Sequence, residues 1–237
     1  MMAWRFLEQR PLRIFFDVDG VLIDGWQDGP GDGNQWDAAL ERDFGIDRRA
    51  FQRRFFKTPS GPAGSPMQAC ALGQRDLKEA LAETLPGLGY HGSVEAFVAY
   101  WFEKDSKVNY SVLGIARHLA RHDHLELYLA TNQEHHRAAH LWHGLGFEAH
   151  FKEIFYSAKL GHLKPRPGFF AAVDASVGIA PDESPLFFDD RRDNVEGARA
   201  AGWDACLYEG PENLTAHPRL QAFLGDYQDG APTAENT

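Results

Sequence analysis

The sequence predicts an α/β protein: a doubly wound parallel sheet with a compact helical block inserted after its first strand. Three observations predict it. From residue 109 onward, short apolar runs alternate with amphipathic helical patterns, the signature of βαβ units. One more apolar run, Leu12 to Phe16, stands far upstream, and the stretch between, roughly 34 to 105, has helical periodicity without a convincing strand. Finally, polar groups follow four of the apolar runs, and a parallel sheet collects all its carboxyl ends on one edge.

Leu12 to Phe16 reads as a buried central strand. Asp17 and Asp19 follow it, and Gly20 breaks the line. Two carboxylates about 4 Å apart repel by roughly 4 kcal/mol at an effective dielectric near 20, so the pair requires a cation, a shared proton or both. Gly25 to Gly33 is a loop by composition and could serve as a hinge. In the helical block, Trp36, Ala39 and Leu40 share a face, as do Phe51 and Phe55. Leu77, Ala80, Leu81 and Leu85 follow the same rule, and so do Val94, Phe97, Val98 and Trp101. The breaker-rich loop Thr58 to Pro66 divides the block.

After Asn109, Val112, Ile115, Ala116 and Leu119 mark a helix. Leu125 to Ala130 is a strand ending in Thr131-Asn132. Ala138, Leu141, Trp142 and Leu145 mark the next helix, stopped near Gly144 and Gly146. Ile154 to Tyr156 is a short strand. Lys164-Pro165-Arg166-Pro167 opens a helix, Pro167 suiting its first turn, with Phe170, Val173 and Val177 inward. Leu186 to Phe188 is a strand ending in Asp189-Asp190. Val195 to Ala201 is a helix closed by Gly202, and Ala205 to Tyr208 is the last strand. Gly230 to Thr237 reads as a frayed tail.

The 237 residues suffice for one large domain or a domain with an insertion. The net charge of -10 argues against a nucleic-acid partner. An acidic chain that meets an anionic substrate needs local positive charge from Lys, Arg or a metal. Cys70 and Cys206 lie far apart and form no metal pattern, which points to a reducing cytoplasm. No secretory signal and no membrane span are expected. No pattern specifies an oligomeric state.

Phe16-Asp17-Val18-Asp19-Gly20-Val21, Thr131-Asn132, Lys164-Pro165, and Asp189-Asp190 running through Asn194-Val195 to Gly197-Ala198 come in one order at four strand ends. This set resembles the four motifs of the haloacid dehalogenase (HAD) superfamily, over roughly 10–25 and 107–210. The stretch from Asn109 to Gly202 most resembles the branch containing sugar-phosphate phosphatases such as glucose-1-phosphate phosphatase. The resemblance implies a core of 1–24 and 107–237 and a helical cap of 25–106. It implies hydrolysis of a small phosphorylated metabolite through an aspartyl-phosphate, with Mg²⁺ as cofactor. Asp17 would be the nucleophile, and Asp19 the acid and then the base. Lys164 would hold Asp17 and the phosphoryl group. Thr131 would bind a phosphate oxygen, with Asn132 beside it. The metal ligands would be the Asp17 side chain, the Asp19 carbonyl and Asp190, with Asp189 either a ligand or just behind. Asn194 would orient its neighbours.

Three other activities fit parts of the pattern. Dehalogenase relatives lack the second aspartate of the first motif, which Asp19 supplies here. A phosphomutase would use the same residues. A non-catalytic binding protein would have lost Asp17 or Asp190. Arg191, Arg192 and Asp193 read as a solvated face. His136, His140 and His143, and likewise His118, His122 and His124, read as surface groups, since neither set has the Glu of a zinc-protease helix. Trp26, Arg53, Arg54 and Lys57 could reach substrate from the hinge or the cap, and each reads first as ordinary packing or solvation.

Overall fold

A computed structural model describes residues 10–24, 35–59, 64–225 and 227. The expected hinge loop Gly25 to Gly33 with Trp26, the middle of the Thr58 to Pro66 loop, and the tail Gly230 to Thr237 lie outside the described residues.

Five parallel strands form one sheet in the order β3-β2-β1-β4-β5. They are β1 (Leu12–Phe16), β2 (Leu125–Thr131), β3 (Ile154–Tyr156), β4 (Leu186–Asp189) and β5 (Asp204–Leu207). Side chains alternate across a strand, so β1 feeds two cores. Ile14 and Phe16 pack with Leu127, Leu129 and Phe188 under helix α6 (Tyr110–Leu119). Phe15 packs on the other face with Phe187 under α9 (Pro167–Val177) and α10 (Arg192–Ala200). Helices on both faces make the sheet doubly wound. The chain runs outward from β1 to β3, then returns to β4 on the other side of β1, so the strand order reverses between β1 and β4. Ligand crevices of open α/β sheets lie at such a reversal, beyond the carboxyl ends.

Between β1 and α6 the described residues contain helices and no named strand: α1 (Leu40–Phe44), α2 (Arg48–Phe51), α3 (Pro66–Ala71), α4 (Leu77–Thr84) and α5 (Val94–Lys104). Asp47, Ser65, Asp76 and Ser93 start four of them by accepting main-chain N–H groups that the first turn leaves free. Their apolar faces form a third core of their own, in which Trp36 stacks on Trp101 at 4.4 Å and on which Phe51, Phe55 and Phe97 close. At one junction this block meets the sheet's helices almost backbone to backbone. A Cβ on Gly73 would overlap the Ala158 carbonyl at the start of α8 (Ser157–Leu160).

Several boundaries differ from the sequence pattern. α2 runs into a π-helical turn, Gln52–Lys57, and α7 (His135–Ala139) into another, His140–Gly144. β2 includes Thr131, which pairs in register with Tyr156. α10 starts at Arg192 rather than Val195. The remaining helices are α11 (Glu212–Thr215) and α12 (Gln221–Leu224). No helix among the described residues is long and apolar enough to cross a membrane.

Candidate active site

Asp17 directly follows β1, and its main-chain N–H donates to the Phe188 carbonyl of β4 at 2.9 Å. The ladder between the two central strands thus sets Asp17 beside Asp189, the last residue of β4. Lys164, from the loop before α9, reaches between them. Its Nζ lies 3.0 Å from Asp17 Oδ2 and 2.6 Å from Asp189 Oδ2, and donates to the Ala130 carbonyl at 2.8 Å. An ammonium has three donors, and these three acceptors use them. The Lys164 and Asp189 side chains are fully buried.

Burial drives the chemistry of this cluster. Removal from water pushes the Asp17 carboxyl well up, the Asp189 charge pushes it further, and Lys164 pulls it back. For Lys164, burial disfavours the ammonium, but Asp17 and Asp189 outweigh it and raise the pKa. Asp190 is pushed up to about 6, first by burial and then by Asp189. Oxygens of Asp17, Asp189 and Asp190 lie within 4.8 Å of one another. Asp17 and Asp190, both raised, favour a further cation beside Lys164, and a hard oxygen set suits Mg²⁺. Gly20 helps form the cradle. Its φ is +86°, and a Cβ there would overlap the Asp190 carboxylate.

The second carboxylate of the first motif stands apart from this cluster. Asp19 is half exposed, and Gln133 Nε2 donates to its Oδ2 at 2.6 Å. Thr131 is buried at the end of β2. Asn132 is spent on Lys164: its Nδ2 donates to the Lys164 carbonyl at 3.1 Å, and its Oδ1 accepts the Lys164 N–H at 2.8 Å. Asn194 Nδ2 donates to both Asp189 oxygens, at 3.0 and 3.1 Å, while its buried Oδ1 has no hydrogen-bond partner among the described residues. The Arg191 N–H donates to Asp189 Oδ1 at 2.9 Å. Asp189 is therefore held on every side by the protein. Gly197 lets α10 approach Pro165, whose carbonyl would lie 2.5 Å from an added Cβ.

Residues outside the motifs complete the edge. Gln133 is one. Arg137 of α7 is another: its Nη2 lies 3.8 Å from Asp19 Oδ1 and 3.7 Å from Asp105 Oδ2. Asp105 is pushed up to about 7 by burial and by the nearby Asp19 charge. The only sequence signal for these residues is their place just after the Thr131-Asn132 motif and at the end of the helical block.

The solvated reading of Arg191, Arg192 and Asp193 holds, as does that of Arg53, Arg54 and Lys57. The surface reading holds for His124 and His143 and needs correction for His118, His122, His136 and His140, which are half-buried. His136 is half-buried and bonds Asp76 at 2.7 Å across to the helical block, and His140 bonds Ser106 at 3.0 Å. Only His143 of that set is largely exposed. Cys206 lies with Asp204 and His217, their donor atoms within 4.8 Å. Arg219 engages two of the three, its guanidinium pairing with Asp204 at 3.0 Å and its main-chain N–H donating to His217 Nδ1 at 3.3 Å.

Solved structures with this architecture include the HAD family enzyme BT-2542 from Bacteroides thetaiotaomicron. It superposes with a TM-score of 0.69 at 17% identity, over 88% of this chain and 98% of that one. Its wild-type complex with magnesium and inorganic phosphate gives 0.65 at 19% identity, over 84% and 94%. L-2-haloacid dehalogenase from Xanthobacter autotrophicus gives 0.56 at 20% identity, over 91% and 87%. At such identities the likeness is one of fold. A phosphoserine phosphatase from Thermus thermophilus is 33% identical over 89 residues, which is 36% of this chain and 35% of the relative. The chain thus spans about a third of that relative's length. Residues 13–202 match the haloacid dehalogenase-like hydrolases. A match over most of the sheet, with the four strand-end motifs inside it, shows that the chain belongs to that family.

Proposed function

We propose that this protein is a Mg²⁺-dependent phosphoric monoester hydrolase that works through a phosphoryl group carried on Asp17. The observation that carries this reading is the buried Asp17–Lys164–Asp189 cluster, open to Asp190 at the reversal point of the sheet. Phosphate monoesters are among the slowest substrates to hydrolyse, and their enzymes act mainly by positioning and charge stabilisation. The cluster is suited to both.

Asp17 attacks phosphorus, and the bond to the ester oxygen breaks. Asp19 gives its proton to the leaving alkoxide. It then takes a proton from the water that cleaves the aspartyl-phosphate and releases inorganic phosphate. Lys164 fixes the Asp17 carboxylate and supplies positive charge beside it. Direct contact between Lys164 and a phosphoryl oxygen requires it to exchange one of its three present acceptors. The Thr131 hydroxyl receives a phosphoryl oxygen. Asp17, Asp190 and the Asp19 carbonyl would hold Mg²⁺, which when bound neutralises charge on the phosphoryl oxygens. Asp189, spent on Lys164, Asn194 and the Arg191 N–H, orients this set from behind. Asn132 acts on substrate through Lys164 rather than by contact.

The division into a core of 1–24 and 107–237 and a cap of 25–106 draws support from the separate core around Trp36 and Trp101. The cap would select the leaving group. The substrate is a small phosphorylated metabolite; the resemblance to the glucose-1-phosphate phosphatase branch favours a sugar phosphate. Asp19 distinguishes this reading from dehalogenation, because halide leaves without a proton.

The test is a screen of phosphorylated metabolites and an aryl phosphate with purified protein, with and without Mg²⁺, alongside Asp17→Asn. Mg²⁺-dependent release of phosphate that Asp17→Asn abolishes, with the fold retained, supports the reading. Full activity in Asp17→Asn refutes it.

A further inference from the structure

We propose that Arg137 is a positioning residue that ties the acid–base carboxylate of Asp19 to the C-terminal end of α5. The inference rests on the phosphatase reading, in which Asp19 moves the proton.

Arg137 sits on α7 with its side chain only 5% exposed. A buried guanidinium must be paired, and it cannot shed its proton. Its Nη1 donates to Ser106 Oγ at 2.9 Å and to the Phe102 carbonyl at 3.5 Å, and its Nη2 donates to the Asp105 carbonyl. The guanidinium carbon also lies 5.5 Å from the centre of the Phe102 ring. Phe102 belongs to the last turn of α5, and Asp105 ends it. A helix end has free carbonyls and a partial negative charge, both of which favour a cation. A residue from beside β2 therefore closes the last helix of the inserted block.

The same Nη2 faces Asp19. At 3.8 Å from Asp19 Oδ1 and 3.7 Å from Asp105 Oδ2, it is too distant for hydrogen bonds to either carboxylate. It acts there as a shared charge. Gln133, four residues earlier on the same segment, holds Asp19 Oδ2 at 2.6 Å. One short stretch after β2 thus flanks both oxygens of Asp19, one by a hydrogen bond and one by a charge. Arg137 can stand where it does only while the end of α5 supplies its acceptors. The placement of Asp19 over the leaving group is therefore coupled to the seating of that helix. A guanidinium that only closed α5 would leave Asp19 unaffected, and its loss would slow all substrates alike.

The test compares kcat/KM for an alkyl phosphate and for an aryl phosphate, both with Mg²⁺, in Arg137→Lys and Arg137→Ala. This parameter reports the first irreversible step, which needs Asp19 as acid only when the leaving group is a poor one. The alkyl-to-aryl ratio is expected to fall at least ~10-fold in both variants, a modest part of the ~10²–10⁴ available to acid–base catalysis. Added guanidinium is expected to restore the alkyl rate of Arg137→Ala preferentially. If Arg137→Ala does not fold, Arg137→Lys carries the test, since a single ammonium cannot fill the acceptors at the end of α5 with one nitrogen and hold its charge beside Asp19 with another. An unchanged ratio in a folded variant overturns the proposal. A wild-type protein that cleaves neither ester, or an Asp17→Asn variant that cleaves both, fails the phosphatase reading instead. A selective alkyl loss in Asp19→Asn without one in the Arg137 variants fails Arg137 alone.

Discussion

Replacing Lys164 with methionine removes the cation that Asp17 and Asp189 share. The two contacts, at 3.0 and 2.6 Å, are each worth about 5–6 kcal/mol of gross attraction at an effective dielectric of 20. The cost of burying the ammonium offsets most of that, and breaking a buried pair from one side typically costs about 3–5 kcal/mol net. The loss depends on pH, with a definite sign. Burial and Asp189 already raise Asp17 against the pull of Lys164, and without Lys164 it rises further. A carboxyl raised in the native state holds a proton that the unfolded chain releases above about pH 4. Stability therefore falls as pH rises from there through the native pKa. Lys164→Met is expected to lose about 3–5 kcal/mol at pH 8, distinctly less at pH 5, and to recover part of the pH 8 loss in Mg²⁺. Urea unfolding at both pH values, in EDTA and in Mg²⁺, measures this. A variant as stable as wild type at pH 8, or a loss independent of pH, refutes the reasoning.

Other outcomes follow from single contacts. Asp19→Asn should lower kcat/KM for an alkyl phosphate by about 10²–10⁴-fold and for an aryl phosphate far less; equal losses remove Asp19 from the acid role. Gly20→Ala forces a side chain into a φ of +86° and against the Asp190 carboxylate. The Mg²⁺ concentration for half-maximal activity should rise at least ~10-fold, as for the loss of a group that orients metal ligands; an unchanged requirement contradicts the placement of Asp190. In metal-free protein Asp190 holds its proton up to about pH 6, and protons compete with metal for a carboxylate. Activity titrated with Mg²⁺ should therefore need more metal at pH 5.5 than at pH 7.5, and an equal need at both contradicts the site.

The sheet was legible because its signals are local. Ile14 to Phe16 and Leu186 to Phe188 are unbroken apolar runs that are fully buried, and both lie in central strands. The parallel arrangement then dictates that Asp17, Thr131, Lys164 and Asp189 share an edge. The helical block was legible from periodicity, although the π-helical turns at Gln52–Lys57 and His140–Gly144 were not, because a one-residue change of period is invisible in short helices. Gln133 and Arg137 went unread for a different reason. Their partner Asp19 is 114 residues from Gln133, and no pattern within either segment announces the pairing. The roles of Asn132 and the half-buried histidines likewise depend on partners far along the chain. A polar residue after a strand signals a site; what it touches there is a property of the packed structure.

The most direct measurement is acid quenching of Asp19→Asn during Mg²⁺-dependent turnover of a ³²P-labelled aryl phosphate. The phosphoryl group should transfer at once and leave slowly, because the variant lacks the base that the proposed mechanism assigns to Asp19. Protein-bound label that hydroxylamine removes, that maps to Asp17, and that is absent when Asp17→Asn is added to the same chain is the expected result. Label on another residue, or label that survives the loss of Asp17, contradicts phosphoryl transfer through Asp17.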